Sequence, residues 1–202
     1  MRGQIHSVGK LEPLAESILA NPLGVNILLV TPANEAIFIR RSRKVAVRPL
    51  ELCSSVSADF LDSDAPTHRQ GSFTMKDLVE TREILRERGF SHRMLNINET
   101  IFLGLTRELI RGGKPETFFV APVNLTLKEI KDKAKEAESF FEQRDIIDEQ
   151  ISDPWGDLDP NQYANFKREI EGIIDKHKKI SVPLLTHLAL WLKYREKVDL
   201  KK

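Results

Sequence analysis

One stretch limits the fold more than any other. A continuous apolar run at residues 25–30 stops at Thr31-Pro32-Ala33-Asn34-Glu35, and apolar residues resume at 36–39. Two short apolar runs around a turn-rich pentapeptide predict a β-hairpin, so the core begins with two strands. A basic run follows (Arg40, Arg41, Arg43, Lys44, Arg48), after which residues 50–56 form a candidate third strand. Residues 57–72 are rich in Asp, Ser and Pro and read as a long surface loop.

Helical spacing takes over at residues 75–88, with Leu78, Ile84 and Leu85 toward one side and Gly89 where a helix would end. Residues 94–105 partly alternate and carry β-branched side chains, and Gly112-Gly113-Lys114-Pro115 is a strong turn leading into residues 117–120. A second hairpin is expected there. Thr126-Leu127-Lys128-Glu129 has capping-box spacing and opens a highly charged helix expected to reach about Glu138. Residues 139–151 fit strand and helix equally. Asp159-Pro160 reads as an N-cap with proline in the first turn, and Ser181 before Pro183 starts a last helix with Leu184, Leu188 and Trp191 on one face. Strands therefore precede helices in one α/β or α+β unit with a helical C-terminal third. We expect a single domain over residues 1–202, its core at about 20–195.

Composition narrows the partners. A chain of 202 residues, 41% hydrophobic and 30% charged, supports one sizeable core. A formal net charge of +1 supplies no global field to draw in nucleic acid or a membrane, and neither is expected as a partner. Cys53 is the only cysteine, which excludes an intrachain disulfide and reads as a small buried apolar residue in a reducing compartment. The start of the chain lacks the apolar stretch of a secretory signal, so a cytoplasmic location is expected.

The chemistry-bearing segment is Arg82-Glu83-Ile84-Leu85-Arg86-Glu87-Arg88-Gly89-Phe90. Glu83 and Glu87 stand four apart on a predicted helix, so both carboxylates project from one face and can share a hard cation such as Mg²⁺. Glu80 lies three residues before Glu83 and offers a further carboxylate, although such a row is more often a solvated helix face. The segment resembles the second half of the Nudix box, with Arg82, Glu83, Ile84, Glu87 and Gly89 matching and Phe90 as the bulky ending. Arg86 stands where the family has a glutamate. Counting back places His68 at the family's glycine and Thr74 at its first glutamate, and an insertion in the preceding loop would instead bring Gly71 near the glycine position.

The resemblance implies a Nudix-like α/β/α sandwich around a mixed sheet. It also implies a nucleotide-derived small-molecule ligand and Mg²⁺ or Mn²⁺ held by Glu83, Glu87 and Glu80, with Glu83 and Glu87 catalytic. The family's activity is hydrolysis of the pyrophosphate bond in nucleoside diphosphate linked compounds. Glu99 and Glu116 lie on segments where the fold supplies a general base from outside the box. Arg40, Arg41 and Arg43 are candidate phosphate ligands, because guanidinium forks match phosphate oxygens; the competing reading is a charged loop after a hairpin. Arg86 beside Glu83 opposes a second cation. The alternative is therefore a catalytically inactive nucleotide-binding module, or a regulatory or interaction protein with a homodimer or protein partner. The five histidines show no zinc spacing. Trp155 either stacks on a base or pins a loop to the core.

Overall fold

The computed structural model describes residues 23–46, 48–60, 94–109, 113–137, 143–155 and 158–199. The predicted helix at 75–88 and the whole segment 82–90 lie outside them.

The first hairpin forms as β1 (Leu23–Val30) and β2 (Glu35–Arg41). Its turn closes through Thr31, whose carbonyl accepts the Asn34 N–H at 2.9 Å. Asn34 adopts φ 60°, a left-handed conformation that asparagine tolerates better than most side chains. The two strands stay paired only at Leu29 with Ile37 and Val30 with Ala36, and then diverge.

Into that fork runs the segment expected to be one third strand. It is two: β3 (Leu52–Ser54) pairs with β2, and β4 (Val56–Phe60) pairs with β1. Residues 57–60, expected in the surface loop, belong to β4 because the diverging β1 offers them a free edge. Ser55 sits between, fully buried. Its hydroxyl accepts the Leu29 N–H at 2.8 Å and donates to the Ile37 carbonyl, bridging two backbone groups that the fork separates.

β5 (Ile101–Glu108) and β6 (Lys114–Pro122) make the second hairpin. β5 starts later than the alternation at 94–105 suggested, since Ile97–Glu99 is a 3₁₀ turn. β6 runs parallel to β1 over seven residue pairs from Gly24 with Glu116 to Val30 with Pro122. The ambiguous stretch resolves as β7 (Gln143–Gln150), antiparallel to β2 along its outer edge. The sheet is therefore mixed.

Three helices complete the fold among the described residues. The capping box at Thr126 opens α1 (Leu127–Ala134), which stops short of the expected Glu138. Asp159 caps α2 (Pro160–Lys176) as expected, and α3 spans Val182–Asp199. Period-two geometry then divides the core. Val25, Ile27 and Leu29 face one side with Phe119, Ala121 and Ile130 of α1. Leu28 and Val30 face the other with Phe166 of α2 and Leu184, Leu188 and Trp191 of α3. Both faces of β1 are covered, which is why its sequence is apolar without interruption. Trp155 packs against the second cluster. No helix among the described residues is long and apolar enough to cross a membrane.

Candidate functional site

On the α2/α3 side, the start of β6 carries a buried polar cluster. Glu116 is 4% exposed and Lys114 5%. Asn26 Nδ2 donates to Glu116 Oε2 at 2.7 Å, and Lys114 Nζ donates to Glu116 Oε1 at 2.9 Å. Lys114 also pairs with Asp59, and Ser57 donates to Asn26 Oδ1 at 3.0 Å. The pairings of Gly24 with Asp59 and of Asn26 with Ser57 put these side chains on one face of β1 and β4. Gly24 makes the room: a Cβ there would lie 1.9 Å from Glu116 Oε2.

A bulge brings in a further carboxylate. The β5–β6 register shifts between Phe102 and Gly104, so that Gly104 opposes Phe118, Thr106 opposes Glu116 and Glu108 opposes Lys114. Without the extra residue, Leu105 and Arg107 would face this side instead. Glu108 is 6% exposed and forms an ion pair with Arg48. Arg48 reaches it from a strained loop in which Arg48 (φ 52°) and Leu50 (φ 65°) are both left-handed. Sequence reasoning missed Glu108 as a site residue; the signal was a glycine inside a strand pattern, which marks a bulge. Beside Glu108 and Glu116 lies an open cavity of about 230 Å³, lined also by Arg107, by Phe118 and by Val182, Pro183 and Thr186 at the start of α3.

The other sequence candidates fall elsewhere. Arg40 donates to the Leu50 carbonyl at 3.1 Å and to His177 Nδ1 at 3.1 Å, so its guanidinium pins the strained loop to the end of α2. His177 Nε2 faces Glu149 Oε1 at 2.9 Å, and Lys176 donates to the same carboxylate at 2.7 Å. Together these hydrogen bonds outweigh burial and hold the Glu149 carboxyl below its usual range. Arg41 is half-buried where β2 bulges against β7, and Arg43 is exposed in the turn beyond. Glu99 is exposed in the 3₁₀ turn before β5, at the far end of the hairpin from Glu116. The structure thus gives Glu116 a buried setting beside a cavity and leaves Glu99 in solvent. Glu80, Glu83, Arg86 and Glu87 lie outside the described residues.

Two nucleophile-like groups serve packing. Ser54 Oγ lies 2.9 Å from His187 Nδ1, and His187 Nε2 lies 3.0 Å from the Phe119 carbonyl. Since a carbonyl only accepts, Nε2 carries the proton and Ser54 donates to Nδ1. Burial pushes His187 down to about 3, against the smaller opposing effect of the Phe119 carbonyl. A fully buried neutral pair of this kind ties α3 to β3 and β6. Cys53 is buried, and that burial raises its thiol above the usual range, which disfavours the reactive thiolate.

No protein-family model and no curated protein matches this sequence. Among solved structures, the chain is similar to a protein from Deinococcus radiodurans, with 13% identity and a TM-score of 0.46, over 92% of this chain and 88% of that one. It is similar to a MutT protein from Methanosarcina mazei, with 15% identity and a TM-score of 0.43, over 91% and 97%. A NUDIX hydrolase from Nitrosomonas europaea gives 10% identity and a TM-score of 0.39, over 81% and 95%.

Proposed function

We propose that this chain is a Nudix-type hydrolase that cleaves the pyrophosphate linkage of a nucleoside diphosphate linked compound with Mg²⁺ or Mn²⁺. The reading is supported by the Glu83 and Glu87 pair, four residues apart in the segment that joins β4 to β5. Among the described residues no group of three or more His, Cys, Asp or Glu side chains gathers to hold a metal, and Glu116 is neighboured by the Lys114 ammonium, which opposes a cation. The proposed donor set is Glu83 and Glu87, with Glu80 as the third carboxylate; oxygen ligands of this kind suit a hard divalent ion. When bound, that ion activates water and screens charge on the departing phosphate. Glu116 is the better-placed of the two base candidates, and Arg43 is the exposed one of the candidate phosphate ligands.

A second reading, a nucleotide-binding or regulatory module without turnover, is favoured by one specific observation. Both Glu116 oxygens already accept a hydrogen bond, one from Asn26 and one from Lys114, so both are engaged in holding the buried cluster together. Arg86 in the box points the same way.

Incubating the full-length protein with Mg²⁺ or Mn²⁺ and a panel of dinucleotides and nucleotide sugars separates the two. The hydrolytic reading expects metal-dependent release of a nucleoside monophosphate, reduced at least a hundredfold in Glu87→Gln. Ligand binding without turnover of any compound sinks it. Arg86→Glu tests the cause: activity that rises in this variant identifies Arg86 as the obstacle to metal.

A further inference from the structure

The loop from β2 to β3 is held by a histidine whose two ring nitrogens are both engaged. Arg40 Nη1 donates to the Leu50 carbonyl at 3.1 Å, and Arg40 Nη2 lies 3.1 Å from His177 Nδ1. A guanidinium only donates, so Nδ1 is the acceptor and carries no proton. The ring proton is therefore on Nε2, which donates it to Glu149 Oε1 at 2.9 Å. Against its burial, hydrogen bonds from Lys176 and His177 hold the Glu149 carboxyl below its usual range, so it remains an acceptor in mildly acidic solution. His177 is 8% exposed, and the position where a second proton would bind is the one that Arg40 fills.

The same guanidinium fixes a strained backbone. Leu50, whose carbonyl it holds, has φ 65°, and Arg48 has φ 52°. Such conformations persist only where neighbouring contacts enforce them. The base of the loop is closed by the Arg41 N–H on the Glu51 carbonyl at 2.9 Å and by the Glu51 N–H on the Arg48 carbonyl at 3.4 Å. Among the described residues, Arg40 is the cation in hydrogen-bond contact with the His177 ring. Lys176 is bound to Glu149, Asp145 of β7 to Arg144, and Arg48 to Glu51 and Glu108. Arg41 of β2 is half-buried, Asp175, Lys178 and Lys179 are exposed, and burial raises the Cys53 thiol of β3, which stays neutral.

We propose that His177 is a proton-operated latch on this loop. Protonation of Nδ1 turns an acceptor into a donor and expels Arg40, the Leu50 carbonyl loses its hydrogen bond, and Arg48 and Leu50 leave their left-handed conformations. Release of that strain offsets the bonds given up, so the proton is taken up without unfolding the rest of the protein. Histidine changes charge between about pH 5 and 8, which sets the range in which the latch responds. Arg43 is exposed on the same loop, so opening repositions a candidate phosphate ligand.

The latch does not rest on the hydrolytic reading, and its test uses neither divalent metal nor nucleotide. Amide hydrogen exchange of the full-length protein is measured at pH 7.5 and 5.5, each rate divided by the intrinsic rate at that pH to give a protection factor. From pH 7.5 to 5.5, protection of the Arg41 and Glu51 amides is expected to fall at least tenfold in the wild-type protein. In His177→Gln, the amide oxygen can accept from Arg40 and the amide nitrogen can donate to Glu149 without titrating, so the fall is expected to stay below threefold. Arg40→Met removes the donor to Leu50 and should show low protection at both pH values. The imidazole nitrogen NMR spectrum requires no variant: at pH 7.5 His177 should carry its proton on Nε2 alone. Protection that does not change with pH in the wild-type protein overturns the proposal, as does an equal fall in His177→Gln, high protection in folded Arg40→Met, or a proton on Nδ1 at pH 7.5.

Discussion

At the scale of single residues, the placement of Glu116 depends on a side chain that is absent. Gly24 opposes Glu116 across the parallel β1–β6 pair, and a methyl group at Gly24 would overlap the carboxylate. Gly24→Ala is therefore expected to cost about 1–3 kcal/mol of stability by overpacking. In a Glu116→Ala background the same change should cost less than about 1 kcal/mol, because the atoms it would strike are gone. Urea unfolding of the four proteins measures that coupling; additive costs would mean that the carboxylate does not occupy this place. None of this was legible in the sequence. Glu116 drew attention only as an acidic residue on a strand, and its partner Asn26 lies 90 positions away; Asp59, which shares Lys114 with it, lies 57 positions away. Long-range pairing of this kind is set by sheet register, which local spacing does not encode.

At the scale of elements, turns and caps were legible and register was not. The 31–35 turn and the caps at Thr126 and Asp159 each rest on local chemistry, and each forms where expected, whereas Lys114 and Pro115 of the turn expected at 112–115 belong to β6. The fork between β1 and β2 rests on tertiary pairing, so the third strand read as one. Ser55 is the residue that makes the fork workable. Ser55→Ala should leave the Leu29 N–H and the Ile37 carbonyl buried without their bridge, at a cost of about 1–3 kcal/mol. Hydrogen exchange would localise the effect: the Leu29 amide should lose protection more than amides in the β5–β6 hairpin. A loss below about 0.5 kcal/mol, or uniform deprotection across the sheet, would contradict this role for the serine. The bulge in β5 follows the same logic. A local glycine signal was present, but which face it would re-aim required the partner strand.

At the scale of the whole molecule, two apolar clusters on opposite faces of one sheet are joined to α3 through a buried histidine, and this gives stability a predictable dependence on pH. His187 bonds Ser54 on β3 and the Phe119 carbonyl on β6, and its burial holds it near 3, against about 6.5 in an unfolded chain. Between those values the unfolded chain binds a proton that the native protein refuses, so stability rises with pH across this window. The contribution is complete above about 6.5 and declines as the solution is acidified. Glu149 has the opposite charge type and a lowered pKa, so its contribution is present above its unfolded value of 4.5 and is lost only as pH falls further. The interval from 6.5 to 4.5 therefore isolates the histidine among the resolved shifts. At about 1.4 kcal/mol per pH unit for one proton, the protein should lose roughly 2–3 kcal/mol over that interval. In His187→Gln, the amide oxygen can accept from Ser54 and the amide nitrogen can donate to Phe119, preserving the tie without a titrating group. Its stability should be nearly flat from pH 6.5 to 4.5, even if lower overall. Unfolding free energies at three pH values for both proteins measure the difference in slope. Parallel slopes would show that His187 is protonated in the folded state, and that α3 is held to the sheet by some other contact.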